Sequence, residues 1–219
     1  MINAHNNQKM FFADVVLLVE GITDRLVFDR LTKLYLQAMG DPKVIEVLEV
    51  HGKHNFEDYR QFLKSIEVKV LQVADLDYVH NVGIDNVRKL LEVDHPSIDK
   101  NVLGNKGSQD RALLAERLEV AIKTGDCSQL QDIWEHIKDR HVRLKNNLSA
   151  GEQETLQKFL NDSMTKGPCI LSKGEIENYL PEDKRNLDRV IELVSEGSFE
   201  KWLDEQWDSP EVAELRGIV

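Results

Sequence analysis

The chain has 219 residues, 41% of them hydrophobic and 31% charged, enough apolar material for one large packed domain or a core with a sizeable insertion, and too much for general disorder. Its formal net charge of -11 argues against a free-standing electrostatic DNA binder, which carries a basic face. Either the acids coat solvated helix faces, or some are gathered at a site that a divalent cation neutralises.

Residues 1–13 hold no apolar run of the signal-peptide kind and read as a leader or linker. Val15 to Val19 is a short, continuous, largely β-branched run, as expected of a strand covered on both faces. A helix follows, with Thr23 as its cap and Leu26, Val27, Leu31, Leu34, Tyr35 and Ala38 on one stripe, ended by Gly40-Asp41-Pro42. Val44 to Val50 is a second strand, closed by His51-Gly52-Lys53. Phe56 to Ile66 is a second helix with Asn55 as cap, and Val70 to Ala74 a third strand ending in Asp75-Leu76-Asp77. This β-α-β-α-β order with short connections predicts parallel strands and right-handed crossovers.

The rhythm then breaks. Val79 to Lys106 is polar and irregular, and from Ser108 to about Lys166 the pattern predicts three helices and no strand. Ser128 with Gln131, and Ser149 with Glu152, have the capping-box spacing. Pro168 to Leu171 is a fourth short strand leading into Ser172-Lys173-Gly174-Glu175-Ile176-Glu177-Asn178-Tyr179. After Pro181 the chain is helical again, and Trp134, Trp202 and Trp207 lie in helical patterns that suit core or interface positions. The expected organisation is an α/β core over 14–107 and 167–219, with C-terminal helices and a helical insertion at 108–166. Its sheet is mostly parallel, of about four strands flanked by helices.

Three of the four strands finish in acids: Glu20, then Asp75 and Asp77, then Glu175 and Glu177. Open α/β sheets bind ligands beyond the carboxyl ends of their strands. In extended chain, residues i and i+2 point to the same side, so D-x-D and E-x-E each place two carboxylates together. Asp24, opening the first helix, faces the same crevice. An acid in a first turn also suits the helix dipole unaided; its company makes it a candidate ligand. Six crowded carboxylates must take up protons or bind cations, and hard oxygen ligands suit Mg²⁺ or Mn²⁺. Paired metals about 4 Å apart can clamp the attacking and leaving oxygens of an in-line phosphoryl displacement. His51, His54, His80 and His95 lack the H-E-x-x-H spacing of a zinc site, and His136 and His141 are five apart and off-face.

Val19-Glu20-Gly21, followed after a later strand by Asp75-x-Asp77, resembles the Toprim domain of type IA and type II topoisomerases, bacterial primases, small ribonucleases and OLD (overcoming lysogenisation defect) nucleases. V-E-G-x-x-D with Asp24, Gly52-Lys53 after the second strand, and K-G-E-I-E-N-Y-L at 173 to 180 after a helical insertion are similar to the OLD version. The resemblance covers about 15 to 182, with the insertion matching only in position and character. It implies a Rossmann-like core and metal-dependent cleavage or nicking of DNA. Glu20 and Asp24 would hold one ion with members of the Asp75/Asp77 pair, and Glu175 and Glu177 would complete a second. The two ions would be Mg or Mn, with Ca as a non-catalytic substitute. Glu20 has an alternative role as general base on the attacking water. Lys173 is the candidate for stabilising charge on the scissile phosphate, and Lys53 touches either a phosphate or solvent.

Two departures qualify the match. Gly83 falls later than the glycine of the common D-x-D-x-x-G, and no G-x-x-x-x-G-K-[ST] occurs anywhere, so ATP is not bound by that device. Full-length OLD proteins resemble ABC-type ATPases fused to a Toprim region, so the chain is expected to be the C-terminal part of a longer protein. Its expected partners are DNA, an N-terminal ATPase domain of the same polypeptide and a second copy in a homodimer, with no membrane. Cys127 and Cys169 make neither a metal spacing nor a disulfide framework, so a reducing cytoplasm is the expected compartment. Two alternatives stand beside the nuclease: another Toprim enzyme of primase, topoisomerase or ribonuclease type, and a Mg-binding receiver-like signalling module. A receiver needs an adjacent acidic pair after its first strand, where this chain has a lone Glu20.

Overall fold

A computed structural model describes residues 9–100, 109–126, 128–184, 186–195 and 197–219. Cys127 and most of the leader lie outside the described residues, as does the side chain of Ser128. The chain divides into two compact units, one of residues 1–76 and 160–219, the other of residues 77–159.

The first unit is an α/β layer structure. Its strands are β1 (Val15–Val19), β2 (Ile45–Glu49), β3 (Lys69–Ala74) and, later in the chain, β6 (Cys169–Ile170). They form one sheet in the order β2-β1-β3-β6, every pairing parallel. All five side chains of β1 are buried, which explains its continuous apolar run: a central parallel strand has no solvent face. Leu17 and Val19 turn to one face with Val47 and Val73, and join Val27, Phe28 and Leu31 of α1 (Ile22–Met39). The same core takes in Val190, Leu193, Phe199, Leu203, Val212 and Leu215 from the C-terminal helices α9 (Leu187–Ser195), α10 (Ser198–Glu205) and α11 (Pro210–Ile218). Val16, Leu18 and Leu48, also buried, alternate to the opposite face. There α2 (Phe56–Ser65) lies along β3 and buries Phe56, Tyr59 and Leu63.

Gln72 interrupts this apolar pattern. It sits on β3 beside Leu18 of the central strand, is 4% exposed, and neither end of its amide has a hydrogen-bond partner among the described residues. An unsatisfied buried amide costs about 1–3 kcal/mol. Gln72→Met, which keeps the volume and removes the polar atoms, is expected to raise stability by roughly 1–2 kcal/mol, read as a higher urea midpoint at unchanged slope. A lower midpoint would show that the amide is satisfied after all.

Capping differs from expectation at both early helices. Thr23 lies inside α1, whose cap is Gly21. Asp24 at the third helical position reaches back to accept from the Gly21 N–H at 3.0 Å, the acidic half of a capping box, while among the described residues no side chain caps the first-turn N–H groups. Asn55 gives α2 no side-chain cap bond. Its amide instead donates to the carbonyls of Val50 and His51, closing the loop after β2. The Ser149–Glu152 box forms as expected, the Ser149 N–H donating to Glu152 at 2.8 Å.

The second unit carries α6 (Gln109–Thr124) and α7 (Ser128–Arg140), and α8 (Ala150–Lys166) begins in it. These are the three expected helices. The expectation of no strand over 108–166 is corrected by β5 (Val142–Leu144), which pairs antiparallel with β4 (Leu91–Val93) in the stretch read as irregular. Each is three residues long, too short for a period-2 pattern to register. The ribbon is extended by hydrogen bonds from Asp94 N–H to the His141 carbonyl and from Lys145 N–H to the Leu90 carbonyl. Val93, Ile98, Leu114, Leu130, Ile133 and Ile137 make this unit's apolar cluster. The stretch read as irregular also holds three four-residue helices, α3 (Val79–Val82), α4 (Asp85–Arg88) and α5 (His95–Ile98). Of the tryptophans, Trp202 packs against the core. Trp134 and Trp207 are exposed, the former stacked with His95 and the latter under the guanidinium of Arg216. Among the described residues no helix is long and apolar enough to cross a membrane.

Candidate active site

The chain runs from β1 to β2 on one side of the sheet, then crosses back over β1 to β3 on the other. Such a reversal opens a crevice at the carboxyl ends of the two strands that flank it. Glu20 directly follows β1 and Asp75 directly follows β3, so the sheet carries both carboxylates to that switch point. Each has one carboxylate oxygen withdrawn from solvent. The loop after β2 comes to the same end, the Gly52 N–H donating to the Glu20 carbonyl at 3.2 Å.

Asp24 is strongly perturbed. It is 7% exposed, and its carboxyl group is pushed up to about 7, chiefly by burial and further by the negative charges of Glu177 and Glu20, against the lowering pull of its bond from Gly21. Glu20, Asp24 and Glu177 therefore share one electrostatic neighbourhood, although they come from segments far apart in the sequence.

The other predicted residues are placed differently. D-x-D is not extended chain: β3 ends at Ala74, and Leu76–Tyr78 is a 3-10 turn. With about three residues per turn, residues two apart no longer share a side. Asp77 stands on that turn, at the start of the second unit. E-x-E is likewise no strand. Glu175 is extended and exposed, whereas Ile176–Asn178 is a 3-10 turn that buries Ile176 in the core and leaves Glu177 half-buried. Among the described residues, no three His, Cys, Asp or Glu side chains form a group close enough to hold a metal ion.

The segment after β6 is held in detail. Leu171 N–H continues the pairing by donating to the Ala74 carbonyl, and the Gly174 carbonyl accepts from Leu76 N–H at 3.0 Å, tying this loop to the one that carries Asp75. Gly174 has φ +115°, and a Cβ there would lie 2.7 Å from the Asn178 amide nitrogen. That requirement for glycine sets the backbone between Lys173 and Glu175. Lys173 is fixed at three points: its N–H donates to the Tyr179 hydroxyl at 3.1 Å, its carbonyl accepts from Asn178 at 3.1 Å, and its ammonium pairs with Glu211 of α11. Ser172 donates from both its N–H, at 2.8 Å, and its hydroxyl, at 2.6 Å, to Glu214 one turn further along α11. Lys53, for which phosphate and solvent are the expected partners, is only 6% exposed; solvent is excluded as its surroundings.

Asn178, Tyr179, Glu211 and Glu214 are absent from the site expected on sequence grounds. Asn178 and Tyr179 lie inside the K-G-E-I-E-N-Y-L stretch but hold no acid or base to draw attention. Glu211 and Glu214 lie in a helix whose charge pattern reads as a solvated face, and only the fold brings them to Ser172 and Lys173.

The sequence signature of the family described as overcoming lysogenization defect protein-like, TOPRIM domain, matches residues 11–77. The Old nuclease of Escherichia phage P2 is 23% identical over 210 residues, a span of 90% of this chain and 35% of that protein; the chain thus spans about a third of that relative's length. Two structures of the C-terminal region of the Xanthomonas campestris pv. campestris OLD protein, phased with platinum and with mercury, align with 96% and 95% of this chain and with 92% and 93% of theirs. Both are 20% identical, with TM-scores of 0.31 and 0.29.

Proposed function

From the OLD-type Toprim domain that this chain carries, with its family signature over residues 11–77, we propose that the protein is a DNA endonuclease or nickase that hydrolyses phosphodiester bonds with two divalent cations, Mg²⁺ or Mn²⁺. The observation that carries this reading is the charge environment of Asp24, raised by burial beside Glu20 and Glu177 at the carboxyl end of the central strand. An acid near neutrality among negative neighbours fits a cation: the donors are hard oxygens, and a bound ion would favour the ionised form that burial opposes. As they stand these carboxylates are not gathered closely enough to hold an ion, so the proposal requires that an arriving ion draw Glu20, Asp24 and Glu177 together, with Asp75, Asp77 and Glu175 as the remaining candidate donors. When bound, such ions polarise the phosphate and lower the pKa of an attacking water.

The residues themselves divide the work. Glu20 follows directly on a fully buried strand, so the backbone that carries its carboxylate is fixed before any substrate or ion arrives. The alternative role for Glu20, as a base, requires only that the same carboxylate reach the attacking water. Lys173 presents a cation on a backbone fixed through Tyr179, Asn178 and Gly174, where it can stabilise charge developing on a phosphate oxygen.

The test is supercoiled plasmid incubated with Mg²⁺, Mn²⁺, Ca²⁺ or EDTA, beside an Asp75→Ala variant. Nicked or linear product with Mg²⁺ or Mn²⁺, none with Ca²⁺ or EDTA, and loss in the variant are expected. Intact plasmid with every ion, or undiminished cutting by the variant, would overturn the reading.

A further inference from the structure

We propose that Glu211 is a positioning residue for Lys173 that occupies the place of a DNA phosphate until the substrate arrives, while Glu214 keeps the loop that bears Lys173 in register with α11. The inference rests on the nuclease reading above, since it assigns Lys173 to a phosphate of the substrate.

Two carboxylates one turn apart on α11 grip two consecutive residues of the loop after β6, and the two grips differ in kind. Glu214 is half-buried and accepts twice from Ser172, from backbone and from hydroxyl; the Tyr179 hydroxyl lies 3.5 Å from that same Ser172 oxygen. Breaking this contact strands a half-buried backbone donor, which is costly. Glu211 holds only the ammonium of Lys173, whose side chain is 45% exposed, and its own is 28% exposed. Solvent-screened pairs of this sort are weak and easily exchanged. A phosphate can therefore displace Glu211 without disturbing the backbone that Glu214, Tyr179 and Asn178 hold.

Glu211 stands in the first turn of α11, where an acid suits the helix dipole whatever Lys173 does. A double-mutant design separates the two roles. Binding of a fluorescein-labelled DNA duplex is measured by anisotropy in Ca²⁺, and plasmid nicking in Mn²⁺, for the full chain, Glu211→Gln, Lys173→Ala and the double variant. Glu211→Gln frees the ammonium, so a two- to five-fold lower Kd is expected, the range a screened pair supports. In the Lys173→Ala background the same change should leave Kd within experimental error. A Kd shift of equal size in both backgrounds would reduce Glu211 to a negative charge that repels DNA whatever Lys173 does and overturn the proposal, as would no shift in either. For Glu214, alanine is expected to lower kcat at least ten-fold with KM within two-fold, and glutamine, which can still accept from Ser172, to restore most of it. Loss through KM instead, or no rescue by glutamine, refutes the Glu214 assignment. If the unmodified chain neither binds nor nicks DNA, the nuclease reading falls and this inference with it. If it nicks and only the double-mutant coupling is missing, the nuclease reading stands and this inference alone fails.

Discussion

Glu20→Gln is expected to lower the rate of plasmid nicking by 10²- to 10⁴-fold, the range associated with loss of a positioned general base, while leaving the fold intact. The strand that carries Glu20 is buried along its whole length, and glutamine differs from glutamate by one atom type, so melting should be almost unmoved. The two roles open to this carboxylate part company in a metal titration. A ligand lost to an amide weakens ion binding, so a high Mn²⁺ concentration should recover part of the rate. A base lost to an amide leaves ion affinity nearly intact, and no concentration of Mn²⁺ helps. A variant that nicks at the rate of the parent would remove Glu20 from the mechanism altogether.

The second large effect concerns stability and has the opposite sign. Burial raises the Asp24 carboxyl from 3.8 to about 7, so the folded chain holds this proton more tightly than the unfolded chain does. Stability from this group is therefore fully present below about pH 4 and is lost as pH rises to about 7. Above that, folding carries the cost of an ionised, buried acid. Asp24→Asn removes the cost and can still accept from the Gly21 N–H. In EDTA at pH 8 the variant should be more stable than the parent by on the order of 2–4 kcal/mol, from about 1.4 kcal/mol for each tenfold gain in proton affinity on folding. The difference should shrink towards pH 4. Added Mg²⁺ should raise the melting temperature of the parent by mass action and do much less for the variant. A variant less stable than the parent at pH 8 in EDTA, or an equal Mg²⁺ response in both, would sink the assignment. With the expected outcome, the site is an example of stability given up for function.

Much of the first unit is legible in the sequence because its signals are local. Val15 to Val19 is apolar at every position because a central parallel strand is covered twice, and the β-α-β-α-β order follows from periodicities within each segment. Glu20 and Asp75 can be placed because a strand end is a sequence feature and strand ends converge in this architecture. What the sequence hides is conformation past the strand ends. Extended geometry is the natural reading of D-x-D and E-x-E, whereas both run through 3-10 turns, so the i, i+2 rule does not apply. The β4–β5 ribbon is invisible because three residues cannot show alternation. Glu211 and Glu214 are equally hidden because their partners lie far back in the chain, and no local pattern encodes a contact of that range.

The pairing of β3 with β6, Val73 opposite Cys169, has a consequence for how the site comes into being. Closing a loop on the order of 100 residues is thermodynamically cheap, since each doubling of length adds only about 0.6 kcal/mol, but it is late, because distant contacts form after local ones. On a ribosome, β1, β2 and β3 can assemble before β6 and the loop after it are translated. Glu20 and Asp75 then stand at their strand ends without Lys173 or Glu177. A chain folding in this order brings the loop that bears Lys173 and Glu177 to the strand ends last, after the sheet that receives it is already in place.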